Sequence, residues 1–420
     1  MTENNKIGPW ALSGLIIGPI LGSGILILPP LIVERIGRWA IFAWMIIIGI
    51  SFLFAFILGH VSIRFPGEGG VTNAVAAAFG IHIKQLTSIF LIIGVIFGAV
   101  AVLMTAANYV GALTTLPAWI IGYILLYVCT ALLLTKISFI GQIALIMSLV
   151  SAAVLFSGGV TVLNVFPVNP GAGTRFDPAQ FGYAVLLLFW TIFGWEVIGN
   201  YSAEVKEPRK TIPKAILISA AVIATVELTI AAAVQRIGIS KSSGGVVSIT
   251  PVITSVFHGA DQAVIALMTL FLCASTYLLF AGSVARLIAS MASQGITRAA
   301  LPAFLGKRSR NNTPLPAVVL IFGLHNMVFF LFKLGVFNIE KLIALSNGFF
   351  IANALICLGA GIRLIENRLI KASGLLLGLF FLGMLLHYAT SDSLIVIGGL
   401  SAYYVGKQWL QNRVKANQPV

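Results

Sequence analysis

Long apolar stretches recur along the whole chain, separated by short segments that carry charged residues or glycine and proline. Twelve stretches can be delimited, at 10–32, 40–62, 86–110, 116–135, 139–163, 181–203, 214–235, 262–292, 315–334, 342–362, 370–388 and 392–410. A helix needs about 20 mostly apolar residues to cross the hydrocarbon core of a bilayer, and each stretch approaches or exceeds that length. The pattern predicts an all-α integral membrane protein with 12 transmembrane helices.

The composition excludes a soluble fold. Hydrophobic residues make up 59% of the 420 residues and charged residues only 9%, whereas about a quarter of an average soluble domain is charged. The net charge of +14 is not gathered on a soluble basic domain, so no nucleic-acid partner is predicted and the charge is assigned to loops that face anionic lipid. The three cysteines lie far apart within apolar stretches, which indicates packing rather than a metal site or a disulfide framework.

The loop charges predict the orientation of the chain in the membrane. With the N-terminus inside, 19 of the 26 lysines and arginines fall on the cytoplasmic side and 7 on the other. Because positive residues accumulate in cytoplasmic loops, we expect a multi-pass protein of the inner cell membrane with both termini, including a tail at 411–420, in the cytoplasm. No loop is long enough for an ATPase or other catalytic domain, so gradients rather than a cofactor are expected to supply energy.

Two of the predicted spans carry interruptions. Span one contains Pro19 between glycines and continues into Gly22–Gly24, and span six contains the run 193–199 with two glycines and a glutamate. Interrupted helices are tolerated in a membrane only where they are buried in protein or line a cavity, so they mark candidate sites. Taken alone, the glycines of span one also fit a packing surface for a neighbouring helix.

The two interrupted spans are five apart, which is the spacing that two inverted repeats of five helices produce. Residues 1–163 then form the first repeat and residues 181–362 the second, with two further helices at 370–410. The sequence therefore predicts one membrane transporter domain at 1–410, in which broken helices one and six face each other near the middle of the bilayer.

Three stretches carry a resemblance to a known family. They are Gly22–Ser23–Gly24–Ile25; the segment from Trp190 through Phe193–Gly194–Trp195–Glu196 to Lys214–Ala215; and Ala285–Arg286 with Gln294–Gly295 and Leu301–Pro302. These resemble the substrate loop, helix six and helix eight of the amino acid-polyamine-organocation superfamily, whose members share the LeuT-type fold. The short chain is similar to the small bacterial subgroup that includes the methionine and branched-chain amino acid exporter.

The resemblance implies a substrate site between the two interruptions. Gly22, Ser23 and Gly24 would bind the substrate carboxylate, and backbone carbonyls near Phe193 and Gly194 would receive its amino group. The resemblance places an aromatic gate over the substrate at Trp190, and it implies that Trp195 or Ile198 lines the side-chain pocket. Pro19 departs from the more polar approach of relatives, which leaves the break point of span one open.

Coupling and gating are expected at Glu196, Ser275 and Thr276. Glu196 could exchange a proton during transport or could simply cap unwound backbone amides, and the two interpretations are equally supported. Ser275 and Thr276 resemble a sodium-binding hydroxyl pair, although membrane hydroxyls more often bond to their own backbone. Proton-dependent relatives carry a lysine on span five, and 139–163 has none. Proton coupling is possible, sodium coupling is less favoured, and exchange without an ion stays open.

Two other polar residues lie within predicted spans, Glu227 in span seven and His325 in span nine. An ionisable group in a membrane helix is a functional hypothesis by default. For both residues the packing interpretation is favoured: a polar contact to a neighbouring helix for Glu227 and a hydrogen bond in the helix bundle for His325. Neither is assigned a role in transport.

These observations predict a secondary transporter of neutral, apolar amino acids that works by alternating access. No cation lies near the two interruptions, and a cationic amino acid or polyamine that pairs with Glu196 is the alternative substrate. A channel would need rings of polar groups, and an enzyme would need clustered catalytic residues, and neither pattern is present. The expected partners are the amino acid and the lipid bilayer. The direction of transport and the oligomeric state are not predicted.

Overall fold

The structure is a computed structural model that describes residues 8–65, 70–134, 137–167, 175–195, 199, 202, 205–238, 249–257, 259–293, 302–309 and 313–416. Across these residues the regular elements are helices, and no strand is formed. The predicted all-α class is therefore confirmed for the described part of the chain.

The helices of the described residues follow the apolar stretches of the sequence closely. Their bounds are α1 Pro9–Leu21, α2 Gly24–Ile36, α3 Ala40–Arg64, α4 Val71–Phe79, α5 Ile81–Gly111, α6 Ala118–Leu133, α7 Ile137–Val165, α8 Pro178–Leu188, α9 Pro208–Ile237, α10 Thr250–Thr254, α11 Asp261–Ser293, α12 Leu315–Lys333, α13 Ile339–Leu364, α14 Arg368–Tyr388 and α15 Ser391–Ala416. Short 3-10 helices lie at Gly37–Trp39, Phe189–Ile192 and Ala303–Gly306.

Eight helical stretches among the described residues are long and apolar enough to cross a membrane. The first, Leu12–Arg64, runs through α1, α2 and α3, and two shorter apolar helices are Ala118–Leu133 and Pro178–Ile192. The predicted 12 spans are reached when the first stretch is counted as two spans and the two shorter helices and α15 are added to the eight stretches. The eight stretches are consistent with a multi-pass helical membrane protein.

The outer surface of the bundle is apolar where a soluble protein would be polar. Leu369 is 78% exposed, and Leu217 and Ile395 are each 73% exposed. Large apolar side chains spread over the outside of a helical bundle are stable in lipid, because hydrocarbon does not penalise them as water does. The exposed leucines and isoleucines therefore mark the lipid-facing surface.

The centre of the bundle is formed by α5, α11 and α13, which are the most enclosed of the long helices. Helices α5 and α13 pack at close range: the Ser346 hydroxyl donates to the Gly94 carbonyl oxygen at 2.6 Å, and a Cβ on Gly94 would lie 2.7 Å from the Phe350 ring. Helix α1 packs against α7 and α9. This arrangement surrounds the two interrupted helices with packed neighbours.

Candidate functional site

The first interruption falls on Gly22 and Ser23, since α1 ends at Leu21 and α2 begins at Gly24. Pro19 stays inside α1, so the proline is not the break point. Gly22 has φ +20° and ψ −136°, and a Cβ there would lie 2.6 Å from Thr276 Oγ1 and 2.7 Å from the Pro19 carbonyl oxygen. Only glycine fits this backbone without strain, and its position determines where the helix stops.

The second interruption begins where α8 ends at Leu188. The chain continues as the 3-10 helix Phe189–Ile192 and then as a turn at 193–195. Gly194 within this turn has φ +134°, which residues with a side chain rarely adopt. Two predicted site residues, Glu196 and Ile198, lie outside the described residues.

The two interruptions lie against each other. A Cβ on Gly194 would be 2.5 Å from Ile20 Cγ1, at the end of α1. The Trp190 indole Nε1 donates to Ser23 Oγ at 3.2 Å, and a Cβ on Gly24 would be 3.1 Å from Trp190 Cδ1. Glycines on both sides thus let the two broken helices approach closely, and a tryptophan hydrogen bond ties them together.

A cavity lies beside these contacts. Its described lining is Pro19, Val95, Gly98, Ala99, Val102, Trp190, Phe193, Thr276, Tyr277, Phe280 and Phe350. The side chains come from α1, α5, α11, α13 and the interrupted segment after α8. None of them is charged, and the polar groups among them are two hydroxyls and an indole. A lining of this kind suits a small ligand with an apolar side chain.

Aromatic rings form one wall of the cavity. The ring centroids of Phe193 and Phe350 are 3.9 Å apart, and Phe280 lies 6.5 Å from Phe350. Trp190 is half-buried, whereas Phe193 is only 3% exposed. Rings at these separations gain stacking energy in addition to area burial, so this wall is a stable apolar surface that a ligand side chain can contact.

The predicted hydroxyl pair lies on α11. Ser275 Oγ and Thr276 Oγ1 both donate to the Leu272 carbonyl oxygen, at 2.9 and 2.8 Å. Hydroxyls in membrane helices more often bond to a carbonyl of their own helix than to an ion, and both hydroxyls do so here. Thr276 nevertheless lines the cavity and stands against Gly22, so it contributes to the site whether or not an ion binds.

Trp195 has a different environment from Trp190. It is fully buried, and its Nε1 donates to Ser51 Oγ on α3 at 2.7 Å. It is not among the described residues that line the cavity. Because the indole is held by α3, Trp195 positions the second interruption rather than contacting the cavity contents.

Sequence reasoning missed part of the cavity wall and what supports it. Tyr277 lines the cavity, and its hydroxyl lies 3.0 Å from Nδ1 of the buried His325. Thr130 of α6 is at 3.5 Å from the same hydroxyl. His325 therefore makes the hydrogen bond within the bundle that was expected, but that bond also holds a residue of the cavity. Only the tertiary structure brings these three residues together.

A polar cluster connects three helices at the end of α2 remote from α1. The Arg35 guanidinium pairs with the Glu340 carboxylate of α13, and the Tyr183 hydroxyl of α8 donates to the same carboxylate at 3.1 Å. Arg35 also lies over the Tyr183 ring, 4.8 Å from its centroid, and contacts Gln180. The partners are 305 residues apart in the chain, so no local pattern indicates the pair.

Comparisons with known proteins agree with this geometry. The chain is 23% identical over 398 residues to the L-methionine/branched-chain amino acid exporter of Escherichia coli, covering 92% of this chain and 93% of that protein. It is 24% identical over 369 residues to an uncharacterized amino acid permease of Bacillus subtilis, covering 85% and 84%. It is 24% identical over 232 residues to a cadaverine/lysine antiporter of Escherichia coli, covering 52% and 51%.

A family model settles the classification. The model described as amino acid permease matches residues 7–388, which includes both interruptions and the whole cavity lining. The family and the named relatives are transporters, so the expectation of a transporter rather than an enzyme is confirmed. The chain belongs to the amino acid permease family and is an amino acid transport protein of the membrane.

Proposed function

We propose that the protein carries neutral, predominantly apolar amino acids by alternating access, with one substrate site between the interruptions of helices one and six. The observation that carries this proposal is the cavity, whose described lining contains no charged side chain. A cavity built for a dicarboxylate or a diamine needs a compensating charge, because burying an unpaired charge is costly. An apolar side chain needs only the aromatic and aliphatic wall.

The zwitterionic part of the substrate is held by backbone. The first N–H groups of α2 have no partner within their own helix, and the positive end of the helix dipole points at the interruption. A carboxylate bound by Gly22, Ser23 and Gly24 satisfies those groups. The substrate ammonium then meets the carbonyls near Phe193 and Gly194.

The architecture proposed for this cycle is the LeuT-type arrangement of 12 transmembrane helices. Residues 1–163 and 181–362 form two inverted repeats within one domain at 1–410, and 370–410 adds two helices. The direct contact between the two interruptions supports this proposal, since inverted repeats bring their broken helices together.

The proposed orientation has both termini, including the tail at 411–420, on the cytoplasmic side of the inner membrane. Contacts along the bundle support a common side for the two ends of the chain. Ser13 near the start of α1 bonds to Ala215 near the start of α9, and a Cβ on Gly59 would lie 2.5 Å from Ile216. Gln408 of α15 accepts a hydrogen bond from His82, which follows α3 and α4 on that same side.

The polar cluster around Arg35 and Glu340 is proposed to be the outer gate. It joins α2 and α8 to α13. Helix α2 begins after the first interruption, α8 ends where the second begins, and α13 packs on α5. Movement of α2 and α8 away from α13 requires these charged contacts to separate. In this proposal the charged contacts hold the outer path closed, and their separation exposes the cavity to the outside.

The test is counterflow in proteoliposomes that are preloaded with unlabelled amino acid. Labelled methionine, leucine, alanine, lysine and cadaverine are offered outside, and the rates are compared with those of empty liposomes. We expect trans-stimulated uptake of methionine and leucine that is well above the uptake of lysine. Uptake of lysine or cadaverine alone would overturn the neutral substrate in favour of the cationic class, to which one relative belongs.

A further inference from the structure

Glu227 is a buried carboxyl group whose role the proposed transport site does not explain. It lies in the middle of α9, is only 2% exposed, and its Oε1 is buried without a hydrogen-bond partner among the described residues. The polar contact to a neighbouring helix that the sequence suggested is therefore not made by Oε1. An unpartnered buried carboxyl group is costly, and native structures retain one chiefly where it has a function.

Contacts along α9 give the level of Glu227 relative to α1 and α2. Ser13 of α1 is hydrogen-bonded to both Ala215 and Ser219, and α2 leads on to Ile41, whose N–H donates to Gln235 Oε1 at 3.0 Å. Helices α1 and α2 thus run parallel to α9. Counted from the Ser13 contacts at equal rise per residue, Glu227 is level with the interruption after Leu21.

Helix α3 gives a second, independent estimate of that level. It runs antiparallel to α9, with Ile41 beside Gln235 and Gly59 beside Ile216. Interpolation between these contacts sets Glu227 opposite about residue 49 of α3. That is within one turn of Ser51, which accepts the hydrogen bond from Trp195 of the second interruption. Glu227 therefore lies at the depth of both interruptions.

A second unpartnered group lies on the facing helix. Trp44 of α3 is fully buried, and its indole Nε1 has no acceptor among the described residues. Helical spacing puts Trp44 on the same stripe of α3 as Ile41, Ser51 and Gly59, of which Ile41 and Gly59 contact α9. A buried donor without an acceptor and a buried acceptor without a donor thus lie on facing helices, about 7.5 Å apart along the helix axis.

The described helices packed against α9 bring no charge near Glu227. Helices α1, α7 and α10 contain no titratable residue. The charged or titratable residues of the other packed helices, and those of α9 itself, lie toward helix ends: Glu34 and Arg35 on α2; His60 and Arg64 on α3; Arg209, Lys210, Lys214 and Arg236 on α9. A carboxylate at Glu227 therefore has no counter-charge from these helices, whereas a protonated carboxyl group needs none.

We propose that Glu227 is the proton-binding site that couples amino acid movement to a proton gradient. This inference rests on the proposed transport function and names its coupling ion. In the conformation described, the site favours the protonated group, because no donor reaches Oε1. Movement of α3 along α9 that brings the Trp44 N–H to the carboxylate, or movement of the interrupted helices that brings it a freed backbone amide, stabilises the charged form. The proton then passes to water on the side to which the site is open.

The experiment measures exchange and proton-driven accumulation separately, in proteoliposomes that contain the full chain. The membrane potential is clamped, and labelled methionine is supplied with or without a gradient of one pH unit. At one proton per substrate, wild type should build about a tenfold concentration ratio. Glu227→Gln should retain counterflow but reach a ratio near one, whereas Glu366→Gln, the same change at an exposed position, should match wild type. Glu196→Gln tests the candidate suggested by sequence.

A spectroscopic measurement tests the site even if the substrate assignment fails. Infrared difference spectra between acidic and alkaline pH should contain a protonated carboxyl band that is absent from Glu227→Gln and retained in Glu366→Gln. Glu227→Asp keeps a titratable group and should keep both the band and coupling, which separates loss of the proton from loss of fold. Proton-driven accumulation by Glu227→Gln at the wild-type ratio, accumulation driven by sodium instead, or absence of the band in wild type would each overturn the inference. Absence of methionine counterflow in wild type counts against the proposed function alone.

Discussion

The contact between Gly194 and Ile20 allows a sharp test of how the two interruptions meet. Replacing Gly194 by alanine puts a Cβ 2.5 Å from Ile20 Cγ1 and 3.3 Å from Ile20 Cδ1. The substitution also places a side chain at φ +134°, which only glycine adopts readily. Two separate penalties follow, one from the backbone conformation and one from the clash.

The size of both penalties can be given from the geometry. A strained backbone conformation costs about 1–3 kcal/mol, and overpacking a well-packed interior costs about another 1–3 kcal/mol. The sum of about 2–6 kcal/mol is large against the stability of a typical protein. We expect Gly194→Ala to lower the apparent melting temperature in detergent and to slow methionine counterflow at least tenfold, because 1.4 kcal/mol already changes a population tenfold.

A double-mutant cycle with Ile20→Ala separates the two penalties. Ile20→Ala removes the atoms that clash, so the double variant should recover about 1–3 kcal/mol relative to the sum of the single changes, while the backbone strain remains. Gly323→Ala in α12 is the matched control, since no atom lies within 4 Å of the added Cβ and alanine is the better helix former. Wild-type stability and counterflow in Gly194→Ala would refute the close approach of the two interruptions.

Two further substitutions test the Trp190–Ser23 hydrogen bond and the proposed outer gate. Trp190→Phe keeps an aromatic ring but loses the hydrogen bond to Ser23, worth about 0.5–1.5 kcal/mol. Because the substrate carboxylate must displace this bond, KM for methionine in counterflow should fall about two- to twelvefold; an unchanged KM would show that the substrate does not displace it. Glu340→Gln removes the partner of Arg35, so a cysteine introduced as Phe280→Cys should react several-fold faster with an impermeant thiol reagent added outside. The exchanged pair Arg35→Glu with Glu340→Arg should restore slow labelling, and unchanged labelling in Glu340→Gln would contradict the gate.

The helices and the first break could be predicted from sequence because both depend on the residue types of a short stretch of chain. Apolar stretches of about 20 residues leave little choice of structure in lipid, since every backbone group must be bonded within the helix. The glycines at 22 and 24 mark the end of α1, and the structure shows why Gly22, rather than Pro19, determines it: Thr276 and the Pro19 carbonyl leave no room for a side chain.

The cavity wall could not be predicted in the same way. The spanning helices are apolar on all sides, so the hydrophobic pattern does not say which face of α5 or α13 points inward. Phe350 enters the wall because Gly94 and Ser346 bring α5 and α13 together. Trp190 lies within the 3-10 helix Phe189–Ile192 and Trp195 in the turn after it, and only the structure shows that the first lines the cavity and the second bonds to Ser51.

In the proposed transport cycle, two polar contacts act at different places in the bundle. Trp190 with Ser23 joins the interruptions to each other near the cavity, whereas Arg35 with Glu340 joins their outer ends to α13. A ligand that replaces the first contact releases the interrupted helices locally, but the second must also separate before the outer path opens. Because a ligand can shift a conformational equilibrium only by its differential affinity, binding at the cavity must favour one arrangement of both contacts. The substrate carboxylate is well placed to do so, since it competes for the same segment that Trp190 now holds.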